Sequence, residues 1–196
     1  VRAPFTVSRE ELRAGDRGAE DVDFAALDQA ARNMAVAENK AVFHGWPDAG
    51  LEGITEASPH PAVPRGDDVE QYPSLAARAV ELLLRSGIAG PYGLALGTED
   101  YTAVTETAEH GGHLLFDHLR RILGGPIVWS PGVRGGVVLS QRGGDFLFES
   151  GQDLSIGYLT HDAATVRLYL EESFSFHVVE PDAAVVLRPS RPGKKA

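Results

Sequence analysis

The sequence has no cysteine, a single methionine, a net charge far from basic and no long apolar run. Each shortage removes a class of protein. Without cysteine there is neither a disulfide framework nor a thiolate metal site, in keeping with a reducing compartment. No stretch approaches the roughly twenty apolar residues that a membrane-spanning helix requires, and no signal-peptide pattern is visible, so a cytoplasmic location is the expectation. Lys and Arg total 18 against 28 Asp and Glu, a formal charge of -10. A nucleic-acid binder needs a basic face to neutralise phosphates, and none is visible outside Arg188, Arg191, Lys194 and Lys195. Those four stand among Pro189, Ser190, Pro192 and Gly193, a composition that predicts a solvated, disordered tail over 188–196.

What is present is ordinary for a folded protein. The chain of 196 residues is 43% hydrophobic and 23% charged, enough to bury a full core as one unit or as two interleaved lobes. Val1 is not Met, and residues 1–7 read as a strand already in progress, so further chain upstream is expected. From 23 to 44, Phe24, Leu27, Ala31, Met34, Ala35 and Val42 recur at helical spacing, with Asp23 as N-cap and Gly45 as the stop. Pro59, Pro61, Pro64 and Gly66 predict a surface loop over 55–68. Pro73 opens a second helix carrying Leu75, Ala79, Leu82 and Leu83, which ends near Gly87. Residues 92–96 read as a buried strand, Thr98 with Glu99 as the cap of a helix reaching about residue 109, and Leu114, Leu115, Leu119, Ile122 and Leu123 as a further helix stopped by Gly124. Strands follow at 126–129, 137–140 and 145–148.

The strongest strand signal lies at 166–178, where Val166, Leu168, Leu170, Phe174, Phe176 and Val178 alternate with mostly polar residues. Glu172 interrupts the apolar row; a bulge, a rim or an ion pair accounts for it more readily than catalysis does.

Catalytic patterns are weak. The best metal-ligand cluster, Glu106, Glu109, His110, His113 and His118, is interrupted by Gly111 and Gly112 and contains no His-Glu-x-x-His. No serine stands in a Gly-x-Ser-x-Gly elbow. Arg142-Gly143-Gly144 is a turn between strands, unlike a phosphate-cradling loop that opens a helix. No catalytic residue, metal or cofactor is assigned.

The block Arg142-Gly143-Gly144-Asp145-Phe146, then Gly151-Gln152-Asp153-Leu154-Ser155-Ile156-Gly157-Tyr158, then residues 165–176, resembles the encapsulin shell proteins. Phe5-Thr6, Arg17-Gly18, Phe43-His44-Gly45, Leu51-Glu52-Gly53-Ile54 and Gly90-Pro91-Tyr92 match in the same order. The resemblance implies an α+β fold of the tailed-phage major capsid type. Residues 1–54 would hold the end of the E-loop and a peripheral domain with the spine helix, 55–147 an axial domain, 148–176 peripheral strands and 177–187 the axial return strand. The family's N-terminal helix and E-loop would lie upstream of Val1. The implied function is structural: self-assembly into an icosahedral cage, a nanocompartment, that encloses cargo such as a dye-decolorizing peroxidase or a ferritin-like protein bearing a C-terminal targeting peptide. Asp153, Leu154, Ser155 and Ile156 would bind that peptide, with burial of Leu154 and Ile156 in the sheet core as the competing reading. Ser130, Pro131, Gly132, Val133 and Arg134 would line a five-fold pore with a ring of positive charge, against an ordinary glycine-rich hairpin. A phage or prophage major capsid protein of the same fold is the alternative.

Overall fold

A computed structural model describes residues 1–66, 68–108 and 114–189. Residues 190–196 of the basic tail, and Glu109, His110 and His113 of the ligand cluster, lie outside the described residues. In chain order the elements are β1 (Arg2–Ser8), α1 (Arg9–Asp16), α2 (Ala25–His44), α3 (Ile54–Ala57), β2 (Val63–Arg65), α4 (Tyr72–Arg85), β3 (Tyr92–Leu96), α5 (Thr98–Glu106), α6 (Leu115–Leu123), β4 (Gly124–Trp129), β5 (Gly136–Ser140), β6 (Phe146–His161), β7 (Thr165–Val178) and β8 (Ala184–Pro189). They divide into two compact units, Val1–Glu38 with Phe148–Ser175, and Asn39–Leu147 with Phe176–Ala196.

The first unit is built on a three-stranded sheet of order β1-β7-β6. β1 runs antiparallel to β7 with Ala3 opposite Leu170, Phe5 opposite Leu168 and Val7 opposite Val166. Facing residues share one side of a sheet, so these apolar pairs present a single face. Helix α2 covers it: Ala30 and Met34 pack with Phe5, Val7 and Leu170, and Leu27 joins them. Ala30 is buried and Ala31 and Ala35 are exposed, so the buried stripe runs through Leu27, Ala30, Met34 and Ala41 and turns away from Ala31 and Ala35. Phe24 is 43% exposed. Asp23 caps the helix by accepting from the Ala25 N–H at 2.9 Å, and Gly45 ends it at φ +75°. Helix α1 was not evident from apolar spacing, because it buries no residue. Its signal is the cap: the Ser8 hydroxyl accepts from the Glu10 N–H at 3.1 Å.

The second unit carries a five-stranded mixed sheet of order β2-β8-β5-β3-β4. Leu94, Val138 and Val185 lie opposite one another across β3, β5 and β8. Against this face pack Tyr72, Ala76, Ala79 and Leu83 of α4, Val104 of α5 and Leu115, Leu119 and Leu123 of α6. The reverse face holds Val137 and Ala184 against Ile54, Val133 and Phe176. Both faces of the sheet are covered, which is why β3 is buried at every position.

Three expectations change. The segment 55–68 contains β2, which pairs in parallel with β8 at the sheet edge, a position that tolerates Pro64. Thr98 opens α5 rather than capping it; Gly97 is the cap residue, and the Thr98 hydroxyl accepts from Trp129 Nε1 at 3.0 Å. Arg188 belongs to β8 and not to a tail.

Candidate functional site

Strand β6 is one edge of the first unit's sheet, β1 being the other, and runs unbroken for 16 residues. The strand expected at 145–148 continues without a break to His161, with Gly151 and Gly157 inside it accommodating neighbours. A Cβ at Gly151 would lie 2.9 Å from the Ser173 hydroxyl, and one at Gly157 would run into the Tyr169 ring. Gly157 thereby makes room for Tyr169, over whose ring the Arg2 guanidinium sits at 4.3 Å while pairing with Glu171 at 2.6 Å. This side of the sheet is polar.

The odd residues of β6 therefore share a side with the odd residues of β7. Leu154, Ile156 and Tyr158 fall on the other side, that of Leu168 and Leu170. On β1 and β7 that apolar face is roofed by α2, but on β6 it is bare. Leu154 is 55% exposed, Ile156 60% and Tyr158 58%. Phe148, separated from that row by Ser150 and Gln152, stacks on Phe174 with ring centroids 5.1 Å apart. Burial of Leu154 and Ile156 in the sheet core is thus overturned within this unit.

The four residues expected to bind a peptide do not form one surface. Leu154 and Ile156 project to the apolar side, whereas Asp153 and Ser155 alternate to the polar side. The Ser150 hydroxyl donates to Asp153 Oδ1 at 2.8 Å and Gln152 Nε2 donates to the Ser155 hydroxyl at 2.7 Å. Tyr158 completes the apolar row; its signal was the period of two from Leu154, visible in the sequence.

Glu172 is the polar exception on the apolar side. Its Oε1 is buried without a hydrogen-bond partner among the described residues. Burial, reinforced by the Glu38 carboxyl of α2, pushes the Glu172 carboxyl above the usual carboxylate range. Glu172 therefore faces another acid, Glu38, while the charged N-terminus of Val1, which donates to the Glu172 carbonyl at 2.7 Å, pulls the carboxyl pKa the other way.

The start of β6 is fixed by a local ion pair in the second unit. Gly143 and Gly144 turn the chain at φ +88° and +84°. This brings Arg142 back onto the buried Asp145, with Nε to both carboxylate oxygens at 3.0 and 3.1 Å and Nη2 to Oδ1 at 2.7 Å. The Asp145 carbonyl then accepts from the N–H groups of Val179 and Glu180, tying this turn to the end of β7.

The segment Ser130-Pro131-Gly132-Val133-Arg134 is not a hairpin. β3 lies between β4 and β5, so the loop must cross the end of β3, and Gly97 lets it pass closely: a Cβ there would lie 2.3 Å from the Val133 carbonyl oxygen. Ser130 and Val133 are buried, Pro131 and Gly132 are partly covered, and only Arg134 is exposed. Of the metal-ligand cluster, Glu106 closes α5 and His118 lies on α6. Among the described residues no three His, Asp or Glu side chains are grouped to hold a metal ion, and no helix is long and apolar enough to cross a membrane.

Comparison with known proteins places this architecture. Solved structures that superimpose on the chain include the virus-like particle from Pyrococcus furiosus, at TM-score 0.68 and 20% identity over 96% of this chain and 75% of that one. Gordonia phage Cozz gives TM-score 0.59 and 15% identity over 97% and 70%. The fold is that of the phage-capsid class of proteins. Sequence is more specific: residues 1–175 match a family described as encapsulating protein for peroxidase. Proteins named type 1 encapsulin shell protein are 46% identical in Rhodospirillum rubrum and 40% identical in Mycobacterium tuberculosis, over 94% and 95% of this chain. The chain belongs to the encapsulin shell protein family. It spans 66% and 70% of the length of those two relatives.

Proposed function

We propose that this protein is a structural protomer, without catalytic activity of its own, of a cytoplasmic icosahedral encapsulin shell. The shell encloses a cargo enzyme, a dye-decolorizing peroxidase or a ferritin-like protein, through a C-terminal targeting peptide laid along β6. In this reading the unit Val1–Glu38 with Phe148–Ser175 is the peripheral domain and the other unit is the axial domain. Identity of 40–46% to encapsulin shell proteins, against 15–20% to the superimposed capsid and virus-like particles, favours this over a phage capsid protein.

The observation that carries the cargo reading is the bare apolar row Leu154, Ile156 and Tyr158 on a sheet face that α2 covers elsewhere. An extended peptide seated there would bury alternate apolar side chains and find unpaired β6 backbone groups at the sheet edge. Asp153 and Ser155, on the reverse side, would contact only a peptide that wraps the edge. Arg134, the one exposed side chain of its loop, would supply the positive ring of a five-fold pore.

The test is co-expression of the complete reading frame with a fluorescent protein carrying the C-terminal peptide of a candidate cargo, read by electron microscopy and by fluorescence per particle. Hollow uniform particles with peptide-dependent fluorescence, lost in Leu154→Asp/Ile156→Asp while particles persist, support the proposal. Particles that load equally in that variant would refute the β6 row as the cargo site.

A further inference from the structure

A pocket of about 490 Å³ lies beside the loop that carries Arg134. It is lined by Lys40 and His44 from the end of α2, Thr55 and Glu56 from α3, Arg134, and Arg188 from β8. Three permanent cations against one carboxylate leave two net positive charges, within a chain whose formal charge is -10. None of Lys40, Arg134 and Arg188 makes an ion pair among the described residues. These three cations line one open cavity.

His44 organises the pocket. Its Nε2 accepts the Arg134 backbone N–H at 3.2 Å, so the proton sits on Nδ1, which donates to the Thr55 hydroxyl at 3.0 Å. This neutral imidazole ties the Arg134 loop to α3 and holds the cations around one space. Burial lowers the His44 pKa, Arg134 and Lys40 lower it further, and Glu56 opposes them. The cations are thus close enough for their field to reach the ring.

We propose that this pocket is an anion site that binds a phosphate group, either free or carried by a small phosphorylated molecule. Two net positive charges match a phosphate dianion, and Arg134 and Arg188 offer the planar donor forks that suit phosphate oxygens. The cavity exceeds what an inorganic phosphate fills, leaving room for an organic substituent. Every lining residue belongs to one compact unit of one chain, so the site does not rest on shell assembly.

Calorimetric titration of the protein with inorganic phosphate and with glycerol phosphate, at fixed ionic strength, tests this alongside NMR of the His44 ring. Saturable binding with Kd of about 1 mM or tighter is expected. The His44 pKa should rise when the site is filled, because the anion offsets the neighbouring cations. Arg134→Gln with Arg188→Gln should weaken binding roughly tenfold, while Arg120→Gln on α6 leaves it unchanged. Preference for glycerol phosphate would assign a phosphomonoester, and equal affinity the phosphate group alone; both support the site. Absence of binding by either probe, or binding indifferent to the double variant, overturns it.

Discussion

The two units solve the burial problem differently. In the unit of Asn39–Leu147 and Phe176–Ala196, helices α4, α5 and α6 cover one face of the sheet while Ile54, Val133 and Phe176 cover the other. In the unit of Val1–Glu38 and Phe148–Ser175, the apolar face is covered over β1 and β7 only, and Leu154, Ile156 and Tyr158 stay open to solvent. A sheet closed on both sides needs nothing more for its stability. A long edge strand with an uncovered apolar row is a liability in an isolated protein unless something is meant to sit on it. The contrast is what the proposed cargo site on the first unit rests on.

The strongest way to break this comparison is a cavity in the closed unit. Leu119→Ala removes a side chain with 0% exposure from the packing of α6 on the sheet, and should cost about 3 kcal/mol, read as a lowered denaturant midpoint. Asp145→Ala should cost about 2 kcal/mol, since it strands Arg142 and removes a buried carboxylate from the turn that sets the start of β6. Hydrogen exchange would locate the loss at 142–148 and the end of β7.

In the open unit, Glu172→Gln should be stabilising by well under about 1 kcal/mol, because solvent screens a partly exposed carboxyl, and the gain is read as a small rise in melting temperature at pH 7–8. The sign follows from the raised carboxyl pKa. Below the unfolded pKa both states are protonated and Glu172 is neutral in effect. As pH climbs through the folded pKa, only the folded chain must hold a buried charge beside Glu38, so stability falls. The gain from the amide should accordingly vanish toward pH 4. The smallest effect is expected from Ile156→Ala: within about 0.5 kcal/mol on protomer stability, because its side chain is already exposed. A loss as large as that at Leu119 would mean that the row is core after all.

Much of this was legible in the residues. The alternation at 166–178, the glycine stops at Gly45, Gly87 and Gly124, and the order of encapsulin-like blocks named the fold class before any coordinates. Legibility failed where packing, not pattern, decides. Ala30 is buried and Ala31 exposed, a distinction that residue type cannot make. Gly151 lies inside a strand, where it serves a close approach to Ser173, and β2 hides among prolines because an edge strand tolerates them. Four consecutive residues from Asp153 read as one binding surface until the pleat splits them between two faces.

The most direct measurement is a cryo-electron reconstruction of shells loaded with peptide-tagged cargo. The account predicts peptide density along β6 against Leu154, Ile156 and Tyr158. Ordered cargo peptide lying elsewhere, with that row bare or sealed by a neighbouring protomer, would contradict it.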